Sequence, residues 1–221
     1  MNGVIDQFFN LEIMRQSLPI LMKGLWMTAK LCATVVLLGL VGGLFVALAT
    51  LSRHPLLRYP AIVFVDIFRA MPPLVLLIFL YSGLPFAGMR VSPFAAVALA
   101  FFLNNSSYYA EVYRAGILSV ARGQWEAASS TGLSRTQALT YVILPQAVRN
   151  VLPDLLSNTV EVVKLTSLAS VVSLGELLYS ANMARSITYN ASPLVLAALI
   201  YLVLLWPLVR LVSRFQRRLA A

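Results

Sequence analysis

Four stretches of this chain run for 20 residues or more without a single charge: residues 31–52, 70–89, 91–110 and 186–209. A helix needs about 20 consecutive apolar residues to cross the hydrocarbon core of a bilayer. These stretches therefore predict an all-α membrane protein and leave little chain for anything else. Only 11% of the residues are charged and 60% are hydrophobic, against roughly 25% charged in an ordinary soluble domain. A soluble enzyme, a disordered chain and a disulfide-rich secreted module all fit this composition poorly, and the lone Cys32 can form no internal disulfide.

A fifth span is expected at about 150–175, apolar overall although it holds Asp154, Glu161 and Lys164. The start, 1–17, mixes Ile5, Phe8, Phe9, Leu11 and Ile13 with Asp6 and Glu12. It lacks the basic leader of a signal peptide and reads as a surface segment, either a short interfacial helix or a tail. The spans then fall at about 18–52, 58–82, 91–113, 150–175 and 186–210 of a single membrane domain, 1–221. Basic residues set the orientation. With the N-terminus outside, the inner segments collect Arg53, Arg58, Arg114, Arg122, Arg135, Arg149, Arg210, Arg214, Arg217 and Arg218, ten of the 17 Lys and Arg. The outer segments hold Arg15, Lys23, Arg90 and Arg185. The C-terminus is then cytoplasmic, which requires an odd number of spans. On this reading the net charge of +9 marks topology and a lipid partner, and no nucleic acid.

Pro72 and Pro73 interrupt the second span. Each lacks a backbone N–H, and in lipid the carbonyls so freed need other partners, so this region is expected to be buried among helices. Asp66 and Arg69, three apart just before the prolines, are expected to pair on one helix face.

The longest inner segment, about 114–149, has structure of its own. Residues 124–131 favour a helix, Gly132 suits the left-handed position that closes one, and Ser134 with Gln137 matches a capping box. A second short helix is expected to reach about Ile143 and to end at Pro145. Arg122, Glu126, Arg135 and Gln137 lie on its outer surface. By itself this describes an amphipathic connector as well as a docking element.

The spacing adds to that reading. Glu126-Ala127-Ala128, three residues, Gly132, nine residues, Val142, one residue, Leu144-Pro145 resembles the loop signature of ATP-binding-cassette (ABC) importer permeases, with valine in place of the usual isoleucine. Tyr109-Ala110-Glu111, Arg114-Ala115-Gly116-Ile117, Gly123-Gln124, Gln146-Ala147, Leu152-Pro153, and Phe68-Arg69 with Pro72 and Leu74 extend the similarity from about Leu18 to Arg218. Together they resemble the polar amino acid uptake family, whose permeases serve histidine, glutamine, glutamate, arginine and opines. One position departs: the family's Lys-Asp-Thr-Ser-Leu is Lys164-Leu165-Thr166-Ser167-Leu168 here, leaving Glu161 as the nearest acidic residue on that helix.

The resemblance implies a permease subunit without its own ATP site, and no GxxxxGK[ST] stretch occurs in the chain. It implies two separate ATPase subunits that bind ATP and Mg, a second permease subunit, an extracytoplasmic amino acid-binding protein, and a multi-pass location in the bacterial cytoplasmic membrane. It places Glu126, Ala127, Ala128, Gly132, Arg122 and Gln124 at the ATPase. No catalytic group, metal site or cofactor is expected in the chain itself.

Polar residues inside spans are candidates for the cargo path, since they are expensive in lipid. Glu161 and Lys164 share a helix face, where they either neutralise each other or meet a zwitterion. Asn158 lies on that face and Thr166 and Ser167 add hydroxyls. Asn104, Tyr108 and Glu111 fall at spacings of four and three on the third span, where helix-to-helix hydrogen bonding is the competing explanation. An autonomous ion-coupled transporter or channel remains an alternative, with Glu161 and Lys164 as coupling groups. It leaves the helix–glycine–helix loop without a role.

Overall fold

The structure, a computed structural model, describes residues 2–220, and the regular structure among them is helical throughout. In order these are α1 (Asn2–Phe8), α2 (Leu11–Thr50), α3 (Pro55–Ala70), α4 (Pro73–Phe86), α5 (Pro93–Ser119), α6 (Arg122–Ser130) and α7 (Arg135–Gln137). A π-helical turn (Ala138–Ile143), α8 (Leu144–Leu165), a 3-10 segment (Thr166–Val172), α9 (Leu177–Thr188) and α10 (Ser192–Ala220) complete the chain.

Among the described residues three helical stretches are long and apolar enough to cross a membrane, Ile5–Thr50, Arg135–Val172 and Ser192–Arg214; α3 and α4 qualify only together, as a broken pair. The third charge-free stretch falls short because α5 carries Asn104, Asn105, Ser106 and Ser107 at its middle, all four buried. Large apolar side chains such as Leu37, Phe45, Phe79 and Val203 are exposed, as lipid-facing residues are.

Several element bounds differ from the sequence reading for local reasons. The first long helix starts at Leu11, since Asn10 Oδ1 accepts from the Ile13 N–H at 3.1 Å and caps it there. The second span is two helices, parted at Met71 and Pro72. Residues 177–188, read as a span edge and an outer loop, form α9, capped by Glu176. The last third of the expected fourth span is 3-10 rather than α.

The chain divides into two compact units. One comprises the chain up to Val36, Pro73–Phe101 and Val160–Leu211. Its core packs Leu21 of α2 against Leu177, Ala181 and Ala184 of α9 and Ala197 of α10. The Glu176 carboxylate, fully buried, accepts from the N–H groups of Leu178 (2.9 Å) and Tyr179 (2.6 Å) and from the Tyr201 hydroxyl (3.2 Å). Thr28 Oγ1 accepts from the Leu177 N–H at 3.1 Å. The α1 segment is tied to the α9–α10 turn: Ala191 N–H donates to Gln7 O (2.9 Å), Asn190 Nδ2 to Asp6 O (2.8 Å) and Asn10 N–H to Ser192 Oγ (2.9 Å).

The other unit comprises Leu37–Pro72, Phe102–Thr159 and the chain beyond Leu211. Here α2 and α5 cross closely at Gly43, where an added Cβ would sit 2.6 Å from Tyr109 Cβ. Apolar burial drives little association when the alternative solvent is lipid, so close approach and hydrogen bonds carry more of the cohesion. Tyr109 is fully buried, and its hydroxyl shares a 2.8 Å hydrogen bond with Thr159 Oγ1.

Candidate functional site

The loop between α5 and α8 is built as a rigid corner. At the end of α6 the Leu133 N–H reaches Ala128 O (3.3 Å) and the Gly132 N–H reaches Ser129 O (3.0 Å), the paired bonds of a Schellman closure. That closure needs a left-handed residue, and Gly132 has φ 80°. Two residues later Ser134 Oγ accepts from the Gln137 N–H (3.3 Å) while Gln137 Oε1 accepts from the Ser134 N–H (2.9 Å). The capping box read from the sequence is therefore formed. One helix is closed and the next opened within four residues, and the N–H groups of residues 131 to 134 are all bonded.

The helix does not end at Pro145. Residues 135–165 are helical without interruption. The π turn passes the Leu144 N–H back to Leu139 O, and a new α-helix starts at Leu144. Pro145 follows directly, so its missing N–H falls at the change of hydrogen-bond register from the π turn to α8. Beside it, Gln146 Nε2 donates to Val142 O at 2.8 Å and to Gln124 Oε1 at 3.1 Å, tying the start of α8 to α6. Beneath the corner, Ile117, Val120, Ile143 and Ala147 form a buried cluster, with Leu48, Leu51 and Trp125 packed on it. Asn150 Nδ2 also bonds Ser119 Oγ at 3.0 Å.

The candidate docking residues separate by exposure. Ala128 is buried, while Arg122, Gln124, Glu126, Ala127 and Gly132 are exposed. The Glu126 carboxylate has no hydrogen bond or ion pair among the described residues. Together with Arg53, Arg122 and Arg135 it lines a cavity of ≈ 1170 Å³ beside the corner.

The polar face of α5 serves the broken helix. Phe68 O and Arg69 O are the carbonyls that the N–H groups of residues 72 and 73 would meet in an intact helix, and both residues are proline. Asn104 Nδ2 donates to Phe68 O at 2.8 Å, and the Tyr108 hydroxyl reaches Arg69 O at 3.5 Å. The expected partners for the freed carbonyls are thus supplied by α5. The expected Asp66–Arg69 pair is absent among the described ion pairs. The Arg69 guanidinium instead lies 5.6 Å from the centre of the Tyr108 ring and 3.9 Å from Glu111 Oε2. Glu111 also binds Arg114, whose Nε donates at 3.0 Å. Asp66 and Arg58 share a cavity of ≈ 430 Å³ with this group.

On α8, Lys164 Nζ lies 2.6 Å from Glu161 Oε1, both half exposed or more. Thr166 and Ser167 turn their hydroxyls back to Val163 O (2.6 Å) and Lys164 O (2.7 Å). Asn158 Nδ2 is buried without a hydrogen bond among the described residues. Glu176, Thr28 and Tyr201 were missed from the sequence. A carboxylate beside a glycine reads as loop surface, and Glu is no common N-cap; only its place before an apolar run hinted at a cap.

Residues 39–221 match the family model described as binding-protein-dependent transport system inner membrane component. The chain is 37% identical over 212 residues to the probable amino-acid ABC transporter permease protein YckA of Bacillus subtilis, covering 96% of this chain and 92% of that protein. It is 31% identical to the arginine transport system permease protein ArtQ of the same organism, covering 91% and 93%. A crystal structure of an amino acid ABC transporter with histidines superposes with a TM-score of 0.86 at 37% identity, covering 93% of this chain and 96% of that one. The methionine transporter MetNI, inward facing, shares the fold with a TM-score of 0.76 at 20% identity, covering 90% and 95%.

Proposed function

The chain belongs to the family of binding-protein-dependent transport system inner membrane components, and from this we infer that it is the permease subunit of an ABC importer that carries a polar amino acid or a close derivative. It is an integral protein of the cytoplasmic membrane and works with ATPase and substrate-binding partners. The finer arrangement we propose has two ATPases, a second permease copy or sibling, the N-terminus outside, and ATP with Mg held by the ATPases alone.

The observation that carries the coupling role is the hydrogen-bonded corner at Gly132 beside an exposed Glu126 that has no partner among the described residues. A corner whose turn N–H groups are all bonded moves as a body when pushed. A free carboxylate on its surface offers a charge-assisted contact to a basic residue of a partner. In this reading the corner seats on an ATPase, follows it as ATP closes the ATPase pair, and tilts the spans between inward-open and outward-open states. The mounting on Ile117, Ile143 and Ala147 ties that motion to α5 and α8.

For the cargo path we propose Glu161, Lys164, Asn158, Thr166 and Ser167 on one stretch of chain, and Asn104, Tyr108 and Glu111 on another. The strongest support is at Glu161 and Lys164, whose opposite charges stay exposed and match the two ends of a zwitterion. The other groups already bond within the protein or, at Asn158 Nδ2, have no hydrogen bond among the described residues.

The test of the assignment is uptake in proteoliposomes. ATP-dependent accumulation should require the ATPase and the binding protein, and Glu126→Lys should abolish it while binding-protein affinity for cargo is unchanged. Uptake by the permease alone would overturn the importer reading.

A further inference from the structure

We propose that the smaller cavity, where α3 faces α5, is an inner site for the cargo, holding an α-amino acid by its charged ends, the ammonium at Asp66 and the carboxylate at Arg69. The cavity holds ≈ 430 Å³, within the roughly 300–1,000 Å³ of small-molecule sites. Its lining lies wholly within one compact unit. Five charged side chains border it: Arg58, Asp66 and Arg69 from α3, Glu111 and Arg114 from α5. Glu111 and Arg114 neutralise each other through the 3.0 Å bond from Arg114 Nε. The Asp66 carboxylate and the Arg58 guanidinium have no hydrogen bond or ion pair among the described residues, and both residues are exposed.

Asp66 lies about 16 Å along α3 from Pro55, and α3 is half of the broken pair that qualifies as a span. A carboxylate at that depth is expensive in lipid, and its short side chain reaches no interface, so it marks a polar cavity. Asp66 and Arg69 are one helical turn apart, where opposite charges ordinarily pair. Here they form no ion pair among the described residues, because the Arg69 guanidinium is drawn to the Tyr108 ring and to Glu111, whose Oε2 is 3.9 Å away. Two opposite charges thus face one cavity with neither cancelling the other, which suits a molecule bearing both signs on one carbon. An inorganic anion would leave Asp66 uncompensated, and a metal ion would meet three arginines. A guanidinium takes a carboxylate in a forked contact, and Asp66 offers two oxygens to an ammonium. Thr50 and Leu118, at the ends of α2 and α5 next to the corner, also border the cavity. In the proposed orientation that is the cytoplasmic side, so imported cargo meets this site last.

The inference rests on the permease reading and extends its cargo path, where Glu111 is already placed. The site reads the zwitterion rather than the side chain, so L-glutamine serves as the probe. The permease with its ATPases is placed in nanodiscs of phosphatidylglycerol, whose headgroup carries no ammonium, and radiolabelled L-glutamine is titrated in without binding protein. The wild type should bind it, Asp66→Asn should weaken binding several-fold, and Asp66→Glu should keep most of it. N-acetylglutamine, which lacks the ammonium, should compete several-fold less well than glutamine. The unfolding midpoint of Asp66→Asn should match the wild type, since this carboxylate bonds to no described residue. No binding by the wild type, equal binding by Asp66→Asn, or equal competition by N-acetylglutamine would overturn the site. Displacement of glutamine by added phosphatidylethanolamine would overturn it in favour of a lipid headgroup. A lowered midpoint in Asp66→Asn, or loss of the second permease copy from it, would assign Asp66 to the fold or to a subunit contact instead. ATP-dependent uptake by the wild type tests the permease reading separately: uptake without ATPases, with glutamine binding intact, would sink the importer and leave the site.

Discussion

Asn104 on α5 donates its side-chain amide, at 2.8 Å, to the Phe68 carbonyl, the acceptor that Pro72 leaves without its helical partner. The bond joins α5 to the point where α3 stops. Replacing Asn104 by alanine orphans a half-buried carbonyl, a loss of about 1 kcal/mol. Thermal unfolding of the detergent-solubilised protein should fall accordingly. Adding Pro72→Ala, which returns a backbone N–H at that turn, should recover part of the loss. An unchanged midpoint in Asn104→Ala, or no recovery in the double variant, would remove Asn104 from this role.

Gly132 holds φ 80°, a conformation that costs an L-residue with a Cβ roughly 1–2 kcal/mol. Open space surrounds the position, so the penalty is conformational rather than steric. Uptake and co-purification of the ATPases should decline in the order Gly132, Gly132→Asn, Gly132→Val, since asparagine tolerates the left-handed region best among the other residues. A valine variant indistinguishable from wild type would show that the corner angle is irrelevant to docking.

Ser134→Ala removes half of the capping box and should weaken the start of the following helix by about 1 kcal/mol. Hydrogen exchange at the Gln137 amide should speed up several-fold, with little change at Leu155 in the body of α8. Uniform acceleration across both regions would mean that the corner is not an independent local unit.

Glu161 and Lys164 make an exposed pair, worth under about 1 kcal/mol to stability. Exchanging them, Glu161→Lys with Lys164→Glu, should leave unfolding almost unchanged yet reduce uptake at least several-fold if they line the cargo path. Full uptake by the exchanged protein would place the path elsewhere.

The sequence made some of this visible and concealed the rest for physical reasons. Gly132, Ser134 and Gln137 were legible because each acts within four residues of itself, and the proline pair announced carbonyls in need of partners. The partners themselves were half visible: Asn104 and Tyr108 shared a face, but which helix that face would meet is a tertiary fact. Arg69 was assigned to Asp66 on spacing alone, whereas Glu111 and the Tyr108 ring offered it two contacts on another helix. Glu176 could not be read as buried, since nothing local distinguishes a carboxylate that two amides and a tyrosine will surround. Pro145 read as a stop because the π turn that precedes it leaves no mark in composition.

That π turn has a consequence for the length of the chain. A helix advances about 100° per residue, so removing one residue from α8 would swing every side chain beyond the cut onto a new face. Removing one residue from 138–143 is different in kind, because a π turn holds one residue more than the α turn that would replace it. The faces of α8 would stay in register with the corner. Pro145 would then sit inside unbroken α-helix, against the carbonyl four residues back, and a kink would replace the swing. The surplus residue therefore acts as a splice that lets a proline and an unbroken helix occupy the same place, and the spacing from Gly132 to Pro145 is constrained in both directions.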